Sequence, residues 1–215
     1  ARVNPDGSID HTFDPGSGPD ADVDTIAVQA DGRVLIAGPF TSVDGTMRNG
    51  IARLNTDGSL DTSFDAGSGP GDLIRSMALQ TDGRIIVAGR FVTLSGATRN
   101  RVGRLNPDGS LDTTFDPGAG LNAEALSVAV QNDGMVVVAG NFTQVGAAPA
   151  LSVTRLTNTD TAMQDISLVG NTVCWKPQGS LPVPMRVSFD FGGYGSFEGT
   201  WSGMDWRANS PPLGL

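Results

Sequence analysis

Four arginines, Arg2, Arg53, Arg104 and Arg155, stand 51 residues apart, and nearly the same text follows each of the first three. It reads RVNPDGSIDHTFDPG, then RLNTDGSLDTSFDAG, then RLNPDGSLDTTFDPG. Later landmarks keep the interval without insertion: Asp31, Asp82 and Asp133; Gly38, Gly89 and Gly140; Phe40, Phe91 and Phe142. A fixed period of this length means that one supersecondary unit is copied and stacked, each copy burying its apolar faces on its neighbours.

The unit itself reads as strands and turns. Asn4-Pro5-Asp6-Gly7 is a turn, with Pro fixing φ and Gly accepting the positive φ that closes it. A short edge segment ends at Phe13, and residues 14–19 form a loop without apolar content. Val23 to Gln29 alternates in part, as a half-buried strand does, and Asp31-Gly32 marks a hairpin turn. Val34-Leu35-Ile36-Ala37-Gly38 is a short continuous apolar run, the pattern of a strand covered on both faces. Gly50 to Leu54 supplies another strand. Helical periodicity is absent, Glu occurs only at Glu124 and Glu198, and there are 29 glycines. The expected fold class is all-β: propeller-type blades of three clear strands and a weaker fourth, at about residues 2–52, 53–103 and 104–154. The apolar central strand is predicted to face a neighbouring blade on each side. The glycine after it is predicted to allow close backbone packing or a bulge. The repeated Phe residues are expected between blades, and the arginines are expected to tie strands and blades together.

The text changes at Arg155-Leu156, which divides the chain into repeats (1–156) and an aromatic-rich β module (157–215). Ile166–Val169, Gly170-Asn171 and Thr172–Trp175 read as a hairpin with a two-residue turn, and Met185–Phe191 alternates as a strand. All three tryptophans and the single tyrosine lie in this module.

A net charge of −9 argues against nucleic acid or an anionic membrane as the main partner, because both require a basic face. A single cysteine, Cys174, excludes a disulfide within the chain and a cysteine-based zinc site. No run of about 20 apolar residues suggests membrane insertion. The repeat pattern is already under way at Arg2, so further repeats are expected before it. Three blades leave two uncovered ends, whereas propellers usually close with about four to eight. Of three resolutions (a fourth sheet from the C-terminal module, a longer ring, or self-association), the reading favours self-association, such as a homodimer that completes the ring.

Candidate chemistry is sparse. Asp6 and Asp10, Asp57 and Asp61, and Asp108 and Asp112 place oxygens at alternate positions around a glycine, as calcium loops do. The EF-hand order and its terminal Glu are missing, and the same residues also satisfy a turn, which is the favoured reading. Asp14, Asp65 and Asp116 read as loop-start caps. His11 replaces Thr62 and Thr113 and reads as an exposed substitution; without a second histidine it builds no His-based zinc site. No nucleophile elbow or phosphate loop occurs. Tyr194, Trp201 and Trp206 are the ligand-binding candidates, with flat faces for a sugar or peptide, set against a role in the core of the module.

The unit RLNxDGSLDxxFDxGxG followed by QxDGRIxVAGxF resembles the delta-60 repeat, a β-propeller repeat of large secreted or surface proteins of bacteria. The resemblance covers residues 1 to about 156, and Ser167–Phe191 resembles the β-rich region that often follows the last repeat. It implies a propeller and an extracellular or cell-surface location, and it brings no catalytic residues. Two functions stand. One is a non-catalytic scaffold or binding module for a glycan or surface polymer. The other is a hydrolase, with or without calcium, in the channel of a completed ring. The scarcity of His and Glu favours the first.

Overall fold

The computed structural model describes residues 1–131, 133–157, 163–169, 172–178, 188–190, 196–201 and 206–209. The first repeat contains β1 (Arg2–Val3), β2 (Ile9–Asp10), β3 (Thr25–Val28), β4 (Val34–Ala37), β5 (Ser42–Val43), β6 (Thr46–Met47) and β7 (Ile51–Leu54). The second contains β8 (Ile74–Leu79), β9 (Ile85–Gly89), β10 (Thr93–Leu94), β11 (Ala97–Thr98) and β12 (Val102–Leu105). The third contains β13 (Ala125–Val130), β14 (Val136–Gly140), β15 (Gln144–Val145), β16 (Ala148–Pro149) and β17 (Val153–Leu156). The C-terminal region adds β18 (Met163–Val169), β19 (Thr172–Gln178), β20 (Ser188–Asp190), β21 (Ser196–Glu198), β22 (Thr200–Trp201) and β23 (Trp206–Asn209).

Each repeat folds into one antiparallel sheet, in the order β3-β4-β7, β8-β9-β12 and β13-β14-β17, with a two-residue hairpin beside it. The three sheets are blades. Their first strands converge, with β8 lying against both β3 and β13. The central strand is the apolar run, and in β9 all five residues are buried. Successive residues of a strand point to opposite faces. Accordingly Ile85 and Val87 pack toward blade 1, with Leu35, Ala37, Ile51 and Phe64. Ile86 and Ala88 pack toward blade 3, with Val136, Val138, Phe115 and Phe142. A strand sandwiched in this way gains nothing from polar alternation, which is why the sequence shows a continuous run.

The glycine after the run does what the spacing implies. A Cβ on Gly89 would fall on the Leu73 carbonyl oxygen, and one on Gly140 on that of Glu124. Those carbonyls accept the N–H groups of Arg90 and Asn141, both at 2.9 Å. Opposite each glycine the first strand shifts register, between Ile74 and Ser76 and between Ala125 and Ser127. Close approach and bulge therefore occur together.

Two details depart from expectation. The weaker fourth strand is not a sheet member. It is reduced to β2, paired only with β1, and to single bridges Leu54–Leu60 and Leu105–Leu111. Two of its backbone donors are spent locally, Ser59 N–H on Asp57 and Ser63 N–H on Asp61, and Asp61 N–H alone reaches across to Arg53 O. Such Asx turns compete with a ladder. The Asp31-Gly32 turn is also not a two-residue hairpin, because only Gly32 has positive φ, +85°. Gln29 N–H bonds to Arg33 O and Gly32 N–H to Gln29 O, which is a longer loop closed by a left-handed glycine.

Beyond residue 157, β18 and β19 form the expected hairpin, with Val169 opposite Thr172 across Gly170-Asn171. They extend into a four-stranded sheet, β18-β19-β23-β22, with Cys174 buried. The Met185–Phe191 strand is seen as β20, Ser188–Asp190, paired with β21. The remainder of that segment lies outside the described residues.

Candidate functional site

The repeated polar residues converge on the joints between blades. In the second repeat Arg53 donates from Nε to Asp61 Oδ2 at 2.8 Å and from Nη1 to Pro107 O in the next repeat at 2.6 Å. Its guanidinium lies 4.9 Å from the centroid of the Phe64 ring. Asp61 Oδ1 accepts the N–H and hydroxyl of Ser63, at 2.9 and 2.6 Å. Its other oxygen also meets Arg33, from the hairpin of the preceding blade, at 3.5 Å. Arg104, Asp112, Thr114 and Phe115 repeat the arrangement, with Arg84 of the preceding blade 3.2 Å from Asp112. Arg2, Asp10, Thr12 and Phe13 repeat it again, with Arg2 reaching Thr56 O at 2.9 Å. The turns at 55–58 and 106–109 are thus each clamped to the repeat before them. Backbone bonds from Asp14 N–H to Asp57 O and from Asp65 N–H to Asp108 O, at 2.7 and 2.8 Å, complete the clamp.

These surroundings hold the carboxyls in the ionised form. The Thr12 hydroxyl, then the Thr12 N–H and Arg2, bring Asp10 down to about 2. Burial pushes Asp61 and Asp112 up, but the donors of Ser63 and Thr114 with Arg53 and Arg104 outweigh it, and both end below the usual carboxylate range.

The calcium candidates therefore occupy two kinds of position. Asp6, Asp57 and Asp108 each accept the N–H and the hydroxyl of the Ser two residues on, within their own turns. Asp10, Asp61 and Asp112 face arginine. Among the described residues no three His, Cys, Asp or Glu side chains come together as a metal-ligand group. Asp14, Asp65 and Asp116 each cap their loop by accepting the N–H two residues ahead, all at 2.9 Å. His11 is exposed.

Sequence reasoning missed Arg75. It stands where the other repeats carry Asp24 and Leu126, so the repeat pattern does not single it out. On β8 it meets Asp24 of the first blade and Glu124 of the third, both at 3.0 Å, and links three blades where their first strands converge. A cleft of about 380 Å³ opens between blades 1 and 2 beside Gly50, Asn49 and Asp72. At the next joint Arg101 stands in the place of Gly50 and donates to Leu121 O at 2.8 Å.

Of the aromatic candidates, Tyr194 lies outside the described residues. Trp201 and Trp206 are placed by their strands. Trp206 pairs with Trp201 on one side and with Trp175 on the other. All three tryptophans of the chain therefore occupy one cross-strand row over β19, β23 and β22, with Ile166 continuing it on β18. Trp175 is half-buried.

Comparison with protein families adds one finding. Residues 29–64, 80–115 and 131–161 match the family described as a domain of unknown function (DUF5122), beta-propeller. The repeats are β-propeller repeats. The three matched segments begin 51 residues apart and span the hairpin turn, the apolar central strand, the third strand and, in the first two, the clamp up to Phe64 and Phe115. No match was found among curated proteins or among solved structures. The propeller repeats are thus recognised through the segments that build the joints, and the tryptophan row lies after the last of them.

Proposed function

We propose that this protein is a non-catalytic propeller scaffold that carries a binding sheet, and that the sheet takes a flat-faced ligand, a glycan or surface polymer, outside the cell. The observation that carries the reading is the row Trp175–Trp206–Trp201. Directly opposed residues on antiparallel strands stand close enough for aromatic side chains to act together. A sugar ring offers a weakly polar face to such rings, and tryptophan supplies a large contact area with little loss of side-chain freedom. The division of labour in the repeats supports the same reading. Their recurrent arginines and aspartates are engaged in the joints, which is the work of a scaffold. The extracellular location follows the sequence resemblance.

The test is intrinsic fluorescence titration of the full chain with a panel of soluble polysaccharides, alongside Trp201→Ala and Trp206→Ala. The reading predicts saturable quenching or a blue shift with at least one polymer, weakened about tenfold by either substitution, at a stacking worth of about 1.4 kcal/mol. If both variants fold and bind as the parent does, or if no polymer binds, the row is core and the reading fails.

A further inference from the structure

We propose that the cleft between blades 1 and 2 takes the guanidinium group of an arginine presented by a partner chain. The two internal joints are built alike at this place. Asn49 donates from Nδ2 to Ser68 O, and Asn100 does the same to Ala119 O one period later. Gly50 and Arg101 follow them with the same left-handed backbone, φ +71° and +70°. Pro70 and Leu121 hold equivalent places 51 residues apart, and each is bridged to the hairpin of its own blade, at Leu94 and Val145.

What differs is how the backbone acceptors of the joint are satisfied. At the second joint Asn100 O accepts the Leu121 N–H at 3.2 Å, and Leu121 O accepts Arg101 Nη1 at 2.8 Å. At the first joint Pro70 has no N–H to give to Asn49 O, and Gly50 has no side chain to give to Pro70 O. Among the described residues neither carbonyl has another donor. Pro70 is buried, and a buried carbonyl without a donor is costly. Where the second joint has the Arg101 side chain, the first has the cleft of about 380 Å³, lined by Asn49, Gly50 and Pro70. Gly50 keeps it open, since a Cβ there would lie 2.7 Å from Pro70 Cγ.

The second joint therefore shows the chemistry of the missing piece. A guanidinium in the cleft supplies planar, charged N–H donors to Pro70 O and Asn49 O, the work that Arg101 and the Leu121 N–H do one blade on. Lysine is the poorer fit, because a single ammonium is a point charge and presents no flat fork to two carbonyls. The sign of the charge agrees. Asp72 lines the cleft where the second joint has Ala123, and its pair with Arg90, at 3.0 Å, is exposed. The net charge of −9 draws cations to the chain. Pro39, Phe40 and Leu73 stand on the walls, which suits the neighbouring atoms of a peptide better than a free guanidine. The site shares no residue with the tryptophan row, so the two readings are tested apart.

The experiment is a titration of the isotope-labelled full chain with the peptide acetyl-Gly-Arg-Gly-amide, followed through backbone amide signals in NMR. Saturable shifts are expected at Gly50, Gly69, Gly71 and Thr93, with a Kd of about 1 mM for two charge-assisted hydrogen bonds. The corresponding lysine peptide should bind about tenfold more weakly. Gly50→Arg together with Pro70→Leu rebuilds the second joint in the first, and should abolish binding because its own side chain fills the cleft. Arg101→Gly makes the converse change in a backbone that suits glycine. It should fold and add a second, weaker site, with shifts at Asn100 and Asn122, weaker because Asn100 O keeps its donor. No saturable shift up to about 50 mM peptide, equal binding of the lysine peptide, a folded double variant that binds as the parent does, or an Arg101→Gly chain without a second site overturns the proposal. Agmatine bound as tightly as the arginine peptide overturns the assignment to a partner chain.

Discussion

Arg104 and Asp112 meet through Nε and Oδ2 at 2.8 Å, with side chains 0% and 4% exposed, while Arg2 and Asp10 make the same bond at 2.7 Å at 42% and 16%. The chemistry of the two pairs is identical, and only the covering differs. Arg104 lies under the second joint, whereas among the described residues no further blade covers Arg2.

That difference predicts unequal mutational costs. Removing one partner of a buried pair leaves the other desolvated, at about 3–5 kcal/mol. Arg104→Ala should therefore lower the urea midpoint steeply at unchanged slope, and Arg104→Lys should recover little, because a single ammonium cannot reproduce the fork toward Asp112 and Thr114. Arg2→Ala should behave as an ordinary surface substitution. Equal losses at the two positions would mean that the clamp does not depend on the joint.

A second contrast isolates the contact between repeats from the turn itself. Gly7 and Gly58 close the same turn, with φ of +86° and +93°. A Cβ on Gly7 meets nothing within 4 Å, whereas one on Gly58 comes within 2.6 Å of the Asp14 backbone. Gly7→Ala should cost about 1–2 kcal/mol, for the left-handed conformation alone. Gly58→Ala should cost about 1–3 kcal/mol more, since backbone must move to admit the methyl. Chemical denaturation of the two variants separates the terms, and equal costs would place the repeats further apart than described here.

Much of this architecture was legible because it is repeated. The 51-residue interval, the apolar run of β9 and the glycine after it gave the blades, their two-sided burial and their close backbone contacts. What the repeat could not show was anything that breaks it. Arg75 replaces an aspartate and a leucine, so its link between Asp24 and Glu124 exists only once the three first strands converge. The edge segment was overread as a strand, since its alternation of Ser, Leu and Asp also suits Asx turns that take the same N–H groups. The tryptophan row was half visible: Trp201 and Trp206 were singled out, but Trp175 joins them only through the register of β19 with β23.

Acid should loosen the clamp. Asp10, Asp61 and Asp112 all titrate below the ordinary carboxylate value when folded. A carboxyl depressed on folding adds stability that is fully present above its unfolded value, near 4. That stability is lost as pH falls through the folded value, about 2 for Asp10. Thermal unfolding followed from pH 5 downward should show the midpoint falling between about 4 and 2. Asp112→Asn, already weakened, should show a shallower fall. A flat profile over that range would remove the clamp from the account of stability.

The most direct test of the stacking account is hydrogen–deuterium exchange of the three central strands. Strand β9 has a blade against each face, whereas among the described residues β4 has a blade on one face only and packs Ile36 on the other against Phe40, Val43 and Leu54. Local opening follows local burial. The account predicts strong protection of Ile85–Gly89 and weaker protection of Val34–Ala37. Equal protection of the two strands would contradict it.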